Sequence, residues 1–539
     1  MDVAVAYEGG ELVVADLVEG VATGQRPWPE TPVEGARYVW ADTAAIYPGL
    51  LARGVRVERC HDLRLCHAIL AGHEPALAAD DRWRRHDFVQ AEPTLLDDQP
   101  SEDHVGLAEV VAEHRRQQAH IAAGPDLDDH ERIRRAKLRL LLSAESAGAL
   151  IAAEMAHRGL PWDVAVHDQL LTAALGPRPR YGERPAKLQA VIDRMITALG
   201  VGSFNPDSAM NLIDALHRAG IEVTSTRKWE LEQIDHPAIE PLLGYKKLSR
   251  LLSANGWSWM DTWITNGRFR PDYVVGGVVT GRWATDGGGA LQLPKQIRSA
   301  ARADPGWKLV VADASQLEPR VLAAMARDHD MAAAARGHDL YQGLVDAGVV
   351  DTRAHAKVAM LGALYGATTG YGGSLMPQLI KAYPRATGVV EEAARAGERG
   401  EIVSTFLGRR SPRPSESWQE LQRLAAGGDA PADDVRKARQ QARDWGRFTR
   451  NFVVQGTAAE WALCWMAGLR QSLQEIPEQP HLVYFLHDEV IVHSPADCAD
   501  RVVELIKDAA DRAGRLLFGD SGVEFALEVA VVDNYGQAK

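Results

Sequence analysis

The chain has 539 residues, 46% of them hydrophobic, and a formal net charge of −13 at pH 7. This length predicts several domains with packed cores. No run of eighteen apolar residues and no signal-peptide pattern is present, so we expect a cytoplasmic, nucleoid-associated protein without a membrane span. The four cysteines are too few and too scattered for a disulfide framework or a zinc cluster. The negative charge argues against a protein that coats nucleic acid but allows a single basic cleft.

The first 130 residues show an α/β pattern of modest size. Two apolar runs around Gly9-Gly10 predict a hairpin over residues 2–18. The acidic stretch Glu92–Asp103, which contains two prolines, predicts a linker. Between them the pattern predicts a strand at Arg37–Ala41, a helix at Ala44–Ala52, a short strand at Val55 and Val57, and a helix at Leu63–Leu70.

Helices are predicted to dominate from Leu127 to Met260, with a long one from Leu140 to His157. The stretch Phe204–Leu212 predicts a helix start capped by Asn205 or Asp207. Farther on, Leu243–Leu252 sets three cations on one side of a helix, which is either a solvated face or a contact with phosphates. The three cations are Lys246, Lys247 and Arg250.

Asp313 follows the apolar run Leu309–Ala312, which predicts one buried strand, and precedes a predicted helix at Leu317–Met325. A carboxylate at the tip of a strand is well placed to hold a divalent cation, although it can also simply cap the next helix. Upstream, the valines at 274, 275, 278 and 279 predict strands with a glycine break, followed by a loop that reaches Arg298.

A second acidic site lies in Tyr484–His493, which predicts a β-hairpin with His487, Asp488 and Glu489 at its turn. Carboxylates in an apolar hairpin are costly unless a positive group lies beside them. Asp313 and Asp488 together therefore predict a site for two Mg²⁺ ions about 3.5–4 Å apart, as used for in-line phosphoryl chemistry.

The helix predicted at Arg353–Tyr365 carries Arg353, Lys357, Leu361 and Tyr365 at four-residue spacing, on one broad face. The two cations suit a triphosphate, and the other two side chains suit a base and sugar. The alternative is a helix with solvated charges whose Leu361 and Tyr365 enter the core.

The remaining C-terminal half predicts turns and further helices. Its predicted elements are a turn at Thr405–Pro412, an exposed hairpin or helix over 425–444, a helix that begins near Gln455, a helix at Asp500–Leu517 and a strand at Val523–Val532.

Six blocks of this sequence, in order, resemble the DNA polymerase I family, which is polymerase family A. The three main blocks are DASQLEPR at 313–320, RAHAKVAMLGALYG at 353–366 and LHDEV at 486–490. The lesser ones are TGRW at 280–283, LGRRSP at 407–412 and VQGTAAE at 454–460. The resemblance extends from about Leu140 to the C-terminus.

This resemblance implies an α/β (α+β) multidomain protein with the right-hand polymerase fold, preceded by a ribonuclease-H-like α/β domain. The implied domains are a degenerate 3′–5′ exonuclease-like domain at 1–130, the start of the palm and the thumb at 131–265, palm at 266–330, fingers at 331–449 and palm again at 450–539.

The resemblance also implies roles for individual residues in a template-directed DNA polymerase. Asp313 and Asp488 match the metal-binding aspartates, and Glu489 matches the neighbouring acid. The residues expected to bind nucleotide are Gln316, Glu318, Arg353, Lys357, Leu361 and Tyr365. The residues expected to bind DNA are Lys247, Arg250, Arg282, Arg298, Arg447, Gln455 and His487. The implied ligands are two Mg²⁺ ions, with Mn²⁺ as a substitute, primer–template DNA and deoxynucleoside triphosphates, bound by a monomer.

Several positions depart from the family pattern, namely Ala314, Pro319, Tyr341 and Leu361. In the N-terminal region Ala6-Tyr7-Glu8 stands where a working exonuclease has Asp-x-Glu, so we expect no proofreading, and we expect no 5′-nuclease domain. Two other functions remain open: a nucleic-acid-binding protein with an inactive polymerase fold, and a nuclease acting through residues 1–130.

Overall fold

The computed structural model describes residues 1–29, 31–74, 77, 80–83, 105–124, 127–180, 182–337, 339–366, 370–427 and 430–538. The predicted linker at Glu92–Asp103 lies outside these residues. The chain forms two compact units. The first holds 1–158, 272–286 and 310–531, and the second holds 159–271, 287–309 and 532–539. The predicted division into five domains stays a prediction.

The described residues form strands and helices that are numbered here in chain order. The strands are β1 (Asp2–Glu8), β2 (Glu11–Val18), β3 (Val21–Pro27), β4 (Arg37–Trp40), β5 (Arg59–Asp62), β6 (Leu160–Pro161), β7 (Ile264–Thr265), β8 (Arg268–Phe269), β9 (Tyr273–Val274), β10 (Ala284–Thr285), β11 (Trp307–Ala314), β12 (His481–Leu486), β13 (Glu489–Pro495) and β14 (Leu527–Val532).

The helices alternate with these strands or run in succession between them. They are α1 (Thr43–Ala52), α2 (Leu63–Ala71), α3 (Leu107–Ile121), α4 (Asp129–Arg158), α5 (Val164–Leu175), α6 (Ala186–Leu199), α7 (Ala209–Arg218), α8 (Lys228–Leu231), α9 (Ile239–Asn255), α10 (Trp257–Trp263), α11 (Leu317–Ala326), α12 (His329–Ala334), α13 (Leu340–Asp346), α14 (Arg353–Tyr365), α15 (Gly370–Ala382), α16 (Pro384–Glu398), α17 (Glu416–Ala425), α18 (Ala432–Leu473) and α19 (Ala499–Phe518). None of them is both long and apolar enough to cross a membrane.

The N-terminal sheet has the strand order β3-β2-β1-β4-β5. β1, β2 and β3 pair antiparallel, while β4 pairs parallel with both β1 and β5. The predicted hairpin is confirmed, because Gly9 and Gly10 both have positive φ, as tight two-residue hairpin turns require. Along β1, Val3 and Val5 enter one buried cluster while Ala4 and Ala6 enter another, so both faces of the sheet are covered.

The predicted strand at Val55 and Val57 is wrong, and the strand lies farther on at β5. Val55 N–H donates to the Leu50 carbonyl oxygen, so this residue closes the end of α1 instead of pairing with a strand. Val57 is buried, and its alternation with Val55 reflects burial without strand pairing. Alternating apolar residues in the sequence indicate which side chains are buried. Whether they form a strand depends on a pairing partner in another part of the chain, which the local sequence does not contain.

A second sheet of the first unit has the order β12-β13-β11-β14. Leu309 to Ala312 are buried as predicted, but the strand continues through Asp313 to Ala314. The hairpin β12–β13 is confirmed. The last strand begins at Leu527 and not at Val523.

Helices α11 to α16 share one buried cluster, which includes Leu322, Met331, Leu344, Met360 and Val390. This cluster fixes the rotation of α14 about its axis, because Ala356, Ala359, Met360 and Ala363 enter it. The opposite face of α14 is therefore directed away from the core.

The prediction of a helix that begins near Gln455 is wrong, because Gln455 lies within the 42-residue helix α18. The glycines at 446 and 456 do not break this helix. A Cβ at Gly446 would lie 2.9 Å from the Ala394 carbonyl oxygen, and one at Gly456 would lie 2.9 Å from the Thr280 carbonyl oxygen. These glycines allow neighbouring backbone to approach α18 closely. Of the two alternatives predicted for the exposed segment 425–444, the helix is confirmed, because α18 begins at Ala432, while residues 426, 427, 430 and 431 connect it to α17.

The second unit consists mainly of helices α5 to α10 and a small sheet in the order β6-β8-β7. α7 is capped by Ser208, whose side chain accepts from Asn211 N–H, and not by Asn205 or Asp207. Asp207 instead contacts Arg184 and Tyr245, so its carboxylate is not available as a cap.

The predicted strand at Val278 and Val279 is also wrong. Both valines are exposed in a turn that Gly281 N–H closes onto the Val278 carbonyl oxygen. A short hairpin of β9 and β10 flanks this turn. The local valine-rich composition favours a strand, but the turn that precedes Arg282 overrides it.

Candidate active site

Two aspartates are brought together by the second sheet of the first unit. Asp313 lies near the end of β11, and Asp488 lies in the turn between β12 and β13. The backbone N–H of Ala314 donates to the Asp488 carbonyl oxygen at 2.8 Å. His487 adopts φ 59°, which is the left-handed conformation that a tight turn needs. Both aspartates remain partly exposed, so they are accessible from solvent.

The donor set at this place suits a hard divalent cation. No group of three or more His, Cys, Asp or Glu side chains arranged for a metal occurs among the described residues. Mg²⁺ is commonly held by one or two carboxylates, with substrate phosphates and water completing its coordination. Asp313 and Asp488 fit that pattern. Glu489, at the start of β13, is only 2% exposed.

Glu318 is the centre of one cluster beside the aspartates. Its carboxylate pairs with Arg282 and accepts a hydrogen bond from the Tyr365 hydroxyl at 2.8 Å. Burial and the charge of Glu318 raise the pKa of Tyr365 to about 12, and Gln455 also bonds this hydroxyl. Burial, and next the positive charge of Arg282, lower the pKa of His487. Four residues predicted separately thus lie around the carboxylate of Glu318.

Asp339 is the centre of a second cluster, and sequence reasoning missed it. It caps α13 by accepting from Tyr341 N–H at 3.0 Å, and it also accepts from Gln316 Nε2 at 3.0 Å and from Arg353 Nε at 2.5 Å. Burial opposes ionisation, yet the hydrogen bond from Arg353 and the others hold the pKa of Asp339 below its usual value. The available signal was its position beside Tyr341 in the block HDLY.

Gln316 bonds both to the Asp339 side chain and to the backbone at the start of α13. Its Oε1 accepts from Leu340 N–H at 2.7 Å while its Nε2 binds Asp339. The Arg353 guanidinium carbon lies 5.7 Å from the centre of the Tyr341 ring. Arg353 is therefore held over the first turn of α14 by a carboxylate on one side and an aromatic ring on the other.

The stripe predicted on α14 faces away from the core. Arg353 and Lys357 are exposed, Leu361 is half-buried and Tyr365 is 39% exposed. The alternative in which Leu361 and Tyr365 enter the core is wrong, since neither belongs to the buried cluster that α14 joins. Thr352 caps the helix by accepting from His355 N–H at 3.2 Å.

Two buried carboxylates, those of Glu145 and Glu460, hold the segment that contacts the turn carrying Arg282. A Cβ on Gly281, which has φ +88°, would lie 2.6 Å from Arg409 Nε, so glycine allows the two chains to touch. Arg409 pairs with the buried Glu145 at 2.9 Å. Glu460 on α18 accepts from Leu407 N–H at 2.9 Å and from the Thr405 hydroxyl.

Glu460 is 1% exposed, and burial raises its pKa to about 7. The block VQGTAAE ends on this residue, but its role in fixing the predicted turn at Thr405–Pro412 was not evident from that block. It holds the turn through backbone and hydroxyl donors from two residues.

Four predicted DNA-binding cations lie outside these clusters. Lys247 and Arg250 are exposed on α9 of the second unit, and Arg298 of the same unit lies 4.4 Å from the Tyr535 ring centre. Arg447 is on α18, where it pairs with Asp444 of the preceding turn. Their contacts with DNA stay predictions.

The departures from the family pattern are accommodated locally. Ala314 is buried at the end of β11. Pro319 lies in the first turn of α11, where a missing backbone N–H costs no helical hydrogen bond. In the N-terminal sheet, Glu8 Oε1 accepts from Leu107 N–H at 2.9 Å and so contacts the start of α3.

Comparison with known proteins gives a consistent family. The family described as "DNA polymerase family A" matches residues 182–537. DNA polymerase I of Chloroflexus aurantiacus is 28% identical over 396 residues, which are 65% of this chain and 39% of that protein. The thermostable DNA polymerase I of Thermus filiformis is 27% identical over 348 residues, covering 58% of this chain and 38% of that one. The chain thus spans about two fifths of the length of these curated relatives.

One solved structure shares the fold. It is described as the "POL domain of Pol1 from M. smegmatis complex with DNA primer-template and dNTP". The TM-score is 0.63 at 19% sequence identity, over 80% of this chain and 74% of that chain. The predicted polymerase fold is confirmed by this likeness.

Proposed function

The chain belongs to DNA polymerase family A, and on that premise we propose that it is a template-directed DNA polymerase that extends a primer 3′ end with deoxynucleotides. The observation that carries the proposal is the hydrogen bond from Ala314 N–H to the Asp488 carbonyl oxygen, which sets the two aspartates side by side. The solved neighbour's description names a DNA primer-template and dNTP, which supports the same ligands here.

Asp313 and Asp488 are proposed to hold two Mg²⁺ ions, with Mn²⁺ as a substitute. When bound, such ions lower the pKa of an attacking hydroxyl and stabilise the charge of a phosphoryl transition state. Glu489, next to Asp488 in the chain, is a third carboxyl group, buried at the start of β13. The side chains of this chain supply the rest of the chemistry through binding and orientation.

Arg353 and Lys357 are proposed to bind the triphosphate. Both are exposed on one face of α14, and Arg353 is already oriented by Asp339. A guanidinium and an ammonium there would offset the charge of the departing pyrophosphate. Gln316 belongs to this site because it holds Asp339 in place.

Leu361, Tyr365 and Glu318 are proposed to contact the base and sugar. Tyr365 and Arg282 fix the Glu318 carboxylate from two sides, so its position is determined before nucleotide arrives. A fixed carboxylate at the sugar disfavours a ribose 2′-hydroxyl by occupying its space. Leu361 offers an apolar but not aromatic surface two turns after Arg353 on the same face.

Primer–template DNA is proposed to contact Arg282, Gln455 and His487. The DNA phosphates are proposed to contact four further cations, namely Lys247, Arg250, Arg298 and Arg447. Phosphate contacts of this kind make affinity fall with salt concentration, irrespective of sequence. We further propose that the N-terminal region has no proofreading activity, that the enzyme acts as a monomer, and that the five predicted domains describe its parts.

Primer extension with Mg²⁺ and the four deoxynucleotides tests the proposal. The wild type should extend, whereas Asp313→Asn and Asp488→Asn should not, with DNA binding near normal in a mobility-shift assay. Asp497→Asn, in the exposed 3-10 helix that follows β13, is the matched control and should extend normally. Binding without extension by the wild type would favour an inactive polymerase fold, and strand shortening would favour a nuclease.

A further inference from the structure

A cavity of about 360 Å³ in the first unit is not part of the site described above. It lies among α1, α2, α4 and the β9–β10 hairpin, and small-molecule sites typically occupy about 300–1,000 Å³. Its apolar wall includes a run of small side chains along α4. The members of this wall are Ala149, Ala152, Ala153, Ala156, Leu65, Pro48, Tyr273, Val274 and Val275.

Arg64 is the exceptional residue of this cavity. Its side chain is only 8% exposed, and its Nε has no hydrogen-bond partner in the described part of the chain. A buried guanidinium normally binds a carboxylate or carbonyl, because an unsatisfied charged donor is costly. Arg64 Nε is therefore a buried donor for which the described residues supply no acceptor, and a ligand in the cavity can supply one.

Four aspartates line the same cavity, namely Asp42, Asp62, Asp272 and Asp286. Asp62 is committed to the protein, since it accepts from Thr43 N–H at 2.7 Å and Leu65 N–H at 2.9 Å. Asp272 and Asp286 both expose part of their side chains to solvent, and the partial burial of Asp272, followed by the nearby charge of Asp286, raises the pKa of Asp272. Asp42 caps α1 by accepting from Ala44 N–H at 2.8 Å, so Asp272 and Asp286 are the carboxylates left to accept from a ligand, beside the one strong donor Arg64.

These groups restrict the ligand. A divalent cation is disfavoured, because the described residues hold no group of three metal-binding side chains and because Arg64 is itself positive. A phosphate is disfavoured by the four carboxylates. The remaining chemistry is a neutral ligand with N–H donors for the carboxylates, an acceptor edge for Arg64 and flat apolar faces for the wall.

We propose that this cavity binds a guanine base, with Arg64 donating to its O6 and N7 and Asp272 or Asp286 accepting from its N1–H and 2-amino group. Arginine pairs with the O6/N7 edge of guanine in many complexes. Adenine lacks this combination because it carries a donor in place of O6. The proposal concerns a site separate from the proposed polymerase site and does not depend on it.

Equilibrium binding of guanosine, a nucleoside without phosphate, tests the proposal with the full chain. The wild type should bind guanosine at least tenfold more tightly than adenosine. Arg64→Met should lose this preference while its melting temperature stays the same or rises, because an unsatisfied buried charge has been removed. Arg53→Met, on the exposed end of α1, is the matched control and should bind as the wild type does.

A second variant and a second ligand complete the test. The double variant Asp272→Asn/Asp286→Asn changes exposed side chains only. It should weaken guanosine binding several-fold. If Arg64→Met does not fold, the binding measured with this double variant decides whether the proposal stands. Single strands that end in dG or in dA show whether the end of a DNA strand can also supply the base. If it can, the wild type should bind the strand ending in dG more tightly, and Arg64→Met should bind both strands equally. Equal binding of guanosine and adenosine by the wild type, or unchanged binding by both variants, would overturn the proposal.

Discussion

The Tyr365 hydroxyl donates a 2.8 Å hydrogen bond to Glu318 Oε2, while Arg282 pairs with the other oxygen of the same carboxylate. α14, α11 and the turn before β10 therefore meet at one side chain. A change in any of the three elements alters the position of Glu318.

Tyr365→Phe should remove one of the two constraints on Glu318. We expect several-fold weaker discrimination against ribonucleotides and a loss of about 1 kcal/mol or less in the free energy of unfolding, since Tyr365 is 39% exposed. Single-nucleotide incorporation of a deoxynucleotide and its ribonucleotide measures the first quantity. Tyr383→Phe, whose buried hydroxyl makes no hydrogen bond within the described residues, is the control. Unchanged discrimination would show that Arg282 alone positions Glu318.

Leu361→Phe should tighten the apparent nucleotide affinity several-fold, with a smaller change in the maximal rate. Leu361 is half-buried on the outer face of α14, so an aromatic ring there gains a stacking surface worth on the order of 1–3 kcal/mol per base. Single-turnover incorporation over a range of nucleotide concentrations measures both quantities. Val358→Phe, exposed on the same helix, should leave them unchanged. An unchanged affinity in Leu361→Phe would mean that the base does not reach this position.

The free energy of unfolding should contain a pH-dependent part from Glu460. Its pKa is raised from 4.5 to about 7 on folding by burial, so the folded state binds the proton more tightly than the unfolded state. The contribution of Glu460 to the free energy of unfolding is therefore complete below pH 4.5 and is lost as the pH rises through 7. The loss is on the order of 3 kcal/mol at most.

Glu460→Gln should remove that part of the pH dependence. Denaturant unfolding at pH 5, 6, 7 and 8 measures it for both proteins. Glu416→Gln, at an exposed position of α17, should retain the dependence of the wild type. A wild-type stability that rises between pH 5 and 7 in parallel with that of Glu460→Gln would contradict the assignment.

The wild type should not shorten a labelled single strand in Mg²⁺ or Mn²⁺. Ala6 replaces an expected acid, and Glu8 is engaged with the start of α3. The measurement is a time course of strand length on a denaturing gel, with heat-denatured protein as the control. Shortening that disappears when residues 1–130 are deleted would refute this prediction.

The sequence predicted best the elements whose side chains alternate or repeat within a few residues. The hairpin at Asp488, the strand before Asp313 and the face of α14 are local patterns, and all three are present in the structure. The family blocks gave the candidate site residues, because those residues lie in short continuous segments.

The predictions from sequence fail where contacts between segments far apart in the chain determine a helix boundary or the role of a side chain. The sequence predicts a helix that begins near Gln455, but α18 continues through this position, and α16 and the Thr280 carbonyl oxygen approach it at Gly446 and Gly456. Asp339 and Glu460 gain their roles from partners 14 and 55 residues away along the chain, Arg353 and Thr405. No short window contains both members of such a pair.

The length of α18 has a mechanical consequence. At 1.5 Å per residue its 42 residues extend about 63 Å without interruption. Gln455 lies midway, beside Tyr365, whereas Arg470 near the far end binds Glu154 and the carbonyl oxygens of Val57 and Glu58. α18 thus acts as a rod that joins the N-terminal residues Val57 and Glu58 to Tyr365, one of the side chains proposed to bind nucleotide. Because this rod is held at Arg470, the contacts of the N-terminal region restrict how far it can tilt at Gln455.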